Sequence, residues 1–281
     1  MTIKLVYQKE VRMSGDGRWD SVRQAANVLG ALFQIGAPVL TSEAVGRVSA
    51  ENGTLVVPAG YAFSIWGLIF FLCLAYAAYG ALPTNRKSPL LRRVGWYSGG
   101  AFFLNGLWEI LFPARQFLLA QVVIVAIFVC AAVAYLRIAR WERGVLSAGE
   151  RWLVALPLGL LFGWITAATL VSFATTFVAL GLLDGGIGEA ILGAALLLTG
   201  GLIASAVLLA GEAAPPQGYL AYAAAVLWAL VAVVVNQYDA SVLTTVAAMV
   251  AAVAVALVVV SKLFGSSGRR TKRALSPDTS A

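Results

Sequence analysis

The chain has 281 residues, 60% of them hydrophobic and 12% charged, with no histidine and a formal net charge of +7. Apolar stretches recur along nearly the whole length, which excludes a water-soluble fold and calls for lipid as the solvent. The missing histidine excludes imidazole-ligated haem, His-based metal sites and a His general base, and the basic residues sit in clusters beside apolar segments, so they report membrane topology and not nucleic acid.

Residues Met1 to Arg23 carry scattered charges and no immediate apolar run, so segment 1–24 reads as a cytoplasmic lead-in and not as a cleaved signal peptide. Hydropathy then predicts about eight membrane-spanning helices, at Ala25–Leu40, Tyr61–Leu82, Val94–Phe112, Phe117–Leu136, Trp152–Val178, Ile187–Leu209, Tyr219–Val235 and Val242–Val260. The first is the weakest, being short and carrying Asn27, Gln34 and Pro38, and the fifth is long enough to tilt or to bend near Pro157. The expected fold class is all-α, a polytopic transmembrane bundle.

Lys4, Lys9, Arg12, Arg18 and Arg23 precede the first helix, and Arg86, Lys87, Arg92 and Arg93 fill the second loop. Arg137, Arg140, Arg143 and Arg151 surround the fourth loop and Lys262 follows the last helix, whereas the opposite side holds only Arg47 and Arg115. This bias predicts a multi-pass protein of the cell membrane with both termini cytoplasmic. The connection from Thr41 to Val57 is the longest external loop, a candidate lid, and residues 264–281 read as a disordered cytoplasmic tail. Cys73 and Cys130 both fall inside apolar segments, as small hydrophobes. Most Trp and Phe precede Leu183, while Ala, Val, Leu and Gly dominate afterwards, dividing the chain into a five-helix membrane domain at 25–183 and a three-helix extension at 184–263.

Three stretches carry the candidate site. The second helix opens with Pro58, Tyr61, Phe63 and Trp66, and Phe63, Trp66 and Phe70 share helical spacing; an interfacial aromatic belt explains one such face as well as a binding surface does. The third helix places Asn105, Trp108, Glu109 and Phe112 on one stripe. A carboxylate there must face a wet cavity, a partner or the outer boundary, and Glu109 could equally snorkel or pair with Arg115. In the fifth helix Trp164, Ala168 and Ser172 align at spacings of four, forming a recess or ordinary small-residue packing with Thr166, Thr169 and Ser172 bonded back to their own helix.

Taken in order, these stretches resemble the tryptophan-rich sensory protein and translocator protein family, TspO/MBR, in a long form with a C-terminal extension. Asn105, Trp108, Leu111 and Phe112 match the family's Asn-x-x-Trp-x-x-Leu-Phe at the same spacing. The Pro58 to Trp66 stretch is similar to its Pro-Pro-x-Trp-x-Phe opening, with Ala59 for the second Pro and Tyr61 for a Trp, and Trp164 to Ser172 resembles a Trp-x-x-x-Ala-x-x-x-Asn stretch with Ser172 in place of Asn. The resemblance implies a pocket within the five-helix part, closed by the loop after the first helix, that takes porphyrins or sterols. Its ligand-binding residues would be Tyr61, Phe63, Trp66, Asn105, Trp108, Glu109, Phe112, Trp164, Ala168 and Ser172. No cofactor is required beyond a porphyrin-type ligand, and catalysis, such as the light-dependent porphyrin degradation linked to some members, is not predicted.

The leading reading is therefore a membrane receptor for a hydrophobic tetrapyrrole or sterol-like lipid, in a sensory or regulatory role. The alternatives are a transporter of a small amphipathic solute with Glu109 titrating, and a protein that assembles with another membrane complex through its small-residue helices. The partners expected are membrane lipid and a hydrophobic small molecule, with homodimer formation left open and nucleic acid excluded.

Overall fold

A computed structural model describes residues 2–41, 45–183, 185–211 and 214–274, with side chains described between Gly17 and Phe264. The ten helices among them are α1 (Thr2–Gly36), α2 (Val45–Glu51), α3 (Ile65–Ala81), α4 (Pro89–Leu111), α5 (Phe117–Ala139), α6 (Ala148–Glu150), α7 (Leu156–Ala179), α8 (Gly186–Ala210), α9 (Pro216–Gln237) and α10 (Val242–Ala274). Seven long helices stand close to where hydropathy predicts them, whereas the first begins at Thr2 and takes in most of the segment read as a lead-in, and no strand occurs among the described residues. Six segments are long and apolar enough to cross a membrane: Gly60–Ala81, Phe117–Ala139, Ala148–Ala179, Gly186–Ala210, Pro216–Gln237 and Val242–Phe264. Residues 17–40 pass the same test only together with α2, as a bent pair, and α4 is diluted by Gly, Ser, Asn and Glu residues.

The polar residues that weaken α1 as a lone span bind it to its neighbours. Asn27 donates through Nδ2 to the Gly95 carbonyl (2.7 Å) and accepts from Ser98 (2.7 Å), which in turn meets the Tyr76 hydroxyl at 2.6 Å. Asp20 accepts from Arg92 Nε (2.8 Å) and faces Arg23 at 3.5 Å. Each buried polar group in this ladder would cost free energy alone and costs little when paired. Pro38 sits in a 3-10 turn, Ala37–Leu40, that ends the helix, since proline cannot continue the hydrogen-bond ladder. At α4, Ser88 caps the N-terminus by accepting from the Leu91 N–H, and Pro89 takes the first helical position, where its missing N–H is not needed.

The fifth predicted span, Trp152–Val178, opens in a π-helical turn, Arg151–Ala155, that follows the short α6 and ends two residues before Pro157. A wider turn there absorbs the donor and the space that the proline ring denies to an α-helix. Beyond it α7 is the central helix, with every residue from Leu158 to Thr166 buried. It meets α9 backbone to backbone: a Cβ at Gly159 would run into the Gly218 carbonyl oxygen, and one at Gly163 into that of Tyr222.

The core forms two clusters that share α5, α7 and α9. Ala221, Ala225, Ala229 and Ala232 of α9 pack into the same cluster as Trp66, Trp108 and Trp164, while Tyr222, Val226, Leu230 and Val233 face a second cluster built with α8 and α10. The last three helices are therefore interlocked with the first five. At one end of the bundle Arg86 donates to Gly17, Arg137 to the Arg93 carbonyl, and Lys262 to the Leu208 carbonyl (2.8 Å), which gathers the basic loops on one side. The last helix continues to Ala274, where the composition predicts an unstructured tail from residue 264; Arg, Lys and Ser residues extend a helix already nucleated by its apolar body at small cost. The remainder of that tail, and residues 42–44 of the candidate lid, lie outside the described residues. Cys73 is buried and Cys130 half-buried, both as free thiols.

Candidate functional site

The connection between α1 and α3 returns from α2 through a 3-10 turn, Gly60–Ser64, into α3. Phe63 lies in that turn, just ahead of the helix that carries Trp66 and Phe70. Its ring turns inward to meet Trp164 edge-on at 6.0 Å, and Gly46 of α2 rests against it, since a Cβ there would lie 3.3 Å from the ring. Trp66 stacks on Phe70 (5.3 Å) and stands between Trp108 (6.3 Å) and Trp164 (6.0 Å). Trp108 stacks on Phe112 at 4.9 Å, as helical spacing of four allows.

Beneath this aromatic cluster runs an apolar cavity. Its volume is about 60 Å³. Six of the ten predicted site residues line it: Phe63, Trp108, Phe112, Trp164, Ala168 and Ser172. Trp66 is buried behind the wall as a support for Trp108 and Trp164. Tyr61 does not reach the cavity; it is 45% exposed and packs edge-on against Trp228 at 5.3 Å.

Asn105 and Glu109 lie on the α1 side of α4, away from the cavity lining. Asn105 donates to Gln34 Oε1 at 3.3 Å, and Glu109 is 3% exposed with Oε1 unpartnered within the protein. Arg115, weighed in the sequence as a partner for Glu109, instead donates to Glu51 of α2 at 2.7 Å. Thr166 and Thr169 bond back to the Phe162 and Ile165 carbonyls (2.8 and 2.7 Å), as expected of their type, whereas the Ser172 hydroxyl is buried without a partner beside the cavity. The indole N–H groups of Trp66, Trp108 and Trp164 are likewise buried and unpartnered.

The pocket expected within the five-helix part is instead a space between that part and the extension. Leu196, Leu197 and Gly200 of α8 and Val226, Ala229, Leu230 and Val233 of α9 supply the far wall, and Val45, Ser49, Val56 and Pro58 of the α1–α3 connection supply the roof. Positions 226, 229, 230 and 233 keep helical spacing, but on a helix apolar on nearly every side the sequence gives no sign of which stripe faces inward. The extension also ties the roof down. Asn236 and Gln237 at the end of α9 both donate to the Val57 carbonyl (3.0 and 3.1 Å), the Ala59 N–H donates to the Ala232 carbonyl (3.0 Å), and Glu189 of α8 accepts from the Leu55 N–H (2.9 Å). Asn236 and Gln237 thus act as a clamp on the loop.

A family model described as TSPO-like protein matches residues 24–261. No curated protein and no solved structure matches the chain.

Proposed function

The chain belongs to the TSPO-like protein family, and from that premise we propose that it is an integral membrane receptor for a hydrophobic tetrapyrrole or a related lipid or sterol, with a sensory or regulatory role. The observation that carries the reading is the cavity itself, with Phe63, Trp108, Phe112 and Trp164 around it in a multi-pass membrane protein. Flat aromatic faces offer stacking and buried area to a planar or fused-ring ligand. The unpartnered indole N–H groups of Trp108 and Trp164 and the Ser172 hydroxyl are donors that an acceptor on such a ligand would satisfy, so orientation comes from a few polar contacts in an otherwise apolar space.

The cavity is smaller than a macrocycle requires, since occupied pockets typically span about 300–1,000 Å³. Binding therefore includes a parting of walls, and the loop over Val56 and Pro58 or the α8 wall must move outward. The basic end of the bundle would face the cytoplasm of a bacterial cell, placing both termini there and the loop on the opposite side.

The experiment is a titration of the detergent-solubilised full chain with protoporphyrin, read by quenching of Trp fluorescence, for wild type, Trp108→Ala and Ser172→Ala. Saturable quenching weakened by both substitutions supports the receptor; no saturable quenching in the wild type sinks it. A second reading rests on Glu109, whose buried, unpartnered carboxylate oxygen suits a titrating group in a transporter of amphipathic solutes. That reading requires pH-dependent solute flux in vesicles that disappears in Glu109→Gln.

A further inference from the structure

The central helix is buried throughout its first half, yet five consecutive residues of its second half, Ala167 to Val171, are only half-buried. All but Thr169 line the cavity. The part of α7 left uncovered by neighbouring helices is therefore the part against which a ligand would lie.

On the outer side of the same stretch a lateral groove of about 430 Å³ opens between α5, α7 and α8. Val122 and Val125 of α5, on its rim, are 68% and 42% exposed on a helix long and apolar enough to cross a membrane, so the groove faces acyl chains. Its lining is almost wholly apolar, with Gln121 Oε1 a buried acceptor that has no partner in the protein. The groove and the cavity share two lining residues, Leu170 of α7 and Leu196 of α8. The cavity and the groove adjoin at these two side chains. Gly200, one turn along α8 from Leu196, gives Leu170 its seat, because a Cβ there would lie 2.5 Å from Leu170 Cδ1. The opposite approach, from water, is covered by the roof that α8 and α9 hold through Leu55, Val57 and Ala59.

We infer that ligands reach the cavity sideways from the acyl region of the bilayer, through a portal between α7 and α8 whose gate is Leu170 and Leu196, with Leu170 seated against Gly200 when the gate is closed. The ligand class is one already dissolved in the membrane. Two leucine side chains at the edge of a partly covered helix change rotamer without breaking any hydrogen bond, whereas opening the roof breaks several. The extension helix α8 thus serves as the doorpost of the site as well as its wall. The inference rests on the cavity being a ligand site but not on the ligand being a tetrapyrrole.

The test uses the full chain in phospholipid vesicles, with Cys73→Ala and Cys130→Ala as background and Ala168→Cys as a reporter thiol inside the cavity. Two probes are compared: N-ethylmaleimide, which partitions into the bilayer, and a permanently charged thiosulfonate, which does not. The maleimide should label the reporter at least about tenfold faster than the charged reagent, and Leu170→Ala with Leu196→Ala should raise the maleimide rate by about tenfold, equivalent to lowering the barrier by about 1.4 kcal/mol. Gly200→Val, which crowds Leu170, should lower it. Val125→Cys, outside the gate, should be labelled at one rate in every gate variant, which separates gating from a loss of fold. Equal labelling by the charged reagent, or a maleimide rate indifferent to both gate changes, overturns the portal. If protoporphyrin fails to bind while labelling behaves as expected, the tetrapyrrole reading falls and the portal stands; if it binds at rates indifferent to the gate, the reverse holds.

Discussion

Replacing Asn236 and Gln237 by Ala should loosen the loop without disturbing the bundle. Both amides donate to the Val57 carbonyl, at 3.0 and 3.1 Å, Gln237 from a buried position and Asn236 from an exposed one, and Gln237 also donates to the Thr54 carbonyl at 3.5 Å. A hydrogen bond of this kind contributes about 0.5–1.5 kcal/mol net, so losing both shifts the opening equilibrium by roughly 1–3 kcal/mol, or about 5- to 150-fold. The Leu55 N–H bond to Glu189 and the Ala59 N–H bond to the Ala232 carbonyl remain, which keeps the closed form dominant. Hydrogen–deuterium exchange by mass spectrometry reads the change directly at the Leu55, Val57 and Ala59 amides, which exchange only when the loop lifts. The double variant should accelerate exchange there within that range, each single variant by about 2- to 13-fold, and amides of Leu158 to Thr166 should not change. Loop exchange within a factor of about two of wild type would refute the clamp, and equal acceleration in α7 would show general destabilisation instead.

Gly163→Val should lower the thermal unfolding midpoint in detergent sharply and Gly200→Ala much less, because the first drives a side chain into the backbone carbonyl of Tyr222 and the second meets only the far end of Leu170. Asn27→Ala removes both its bond to the Gly95 carbonyl and its acceptor for Ser98, costing about 1–3 kcal/mol in denaturant titrations, while Tyr76→Phe removes one bond and costs about 1 kcal/mol. Arg115→Ala should change stability by less than about 1 kcal/mol, with little salt dependence left to lose, because its pair with Glu51 is half-exposed on both sides.

The positions of the long helices were legible because a bilayer demands about twenty apolar residues in a row, and that demand leaves a long signal. Trp108 and Phe112, which line the cavity, share a spacing of four on one helix, as do Trp164, Ala168 and Ser172 on another. What spacing could not supply was the side from which each stripe is covered. Phe63 lines the cavity from a 3-10 turn ahead of the helix, where helical spacing from Trp66 does not apply. Asn105 and Glu109 left it because α1 brings Gln34 to their side of α4. Leu196, Gly200, Val226 and Leu230 carried no polar or aromatic mark, and on helices apolar all round the hydrophobic pattern does not point anywhere. Asn236 and Gln237 were visible as polar residues at a helix end, but their acceptor is about 180 positions earlier in the chain, and a turn explains such residues equally well from sequence alone.

The placement of the extension bears on how a small cavity could admit a large ligand. A wall made by helices of the same compact bundle would move only if the core repacked, and close-packed interiors resist that. Here the roof is held by hydrogen bonds at its edges and the far wall by α8, which meets α7 sparsely, through a glycine and two leucines beside the cavity, while α7 and α9 are locked together by glycines at Gly159 and Gly163. The rigid seam thus runs between α7 and α9 and the yielding seam between α7 and α8. Expansion then has one cheap direction, outward along α8, and it requires no change in the packing of Trp66, Trp108 and Trp164 on which recognition would depend.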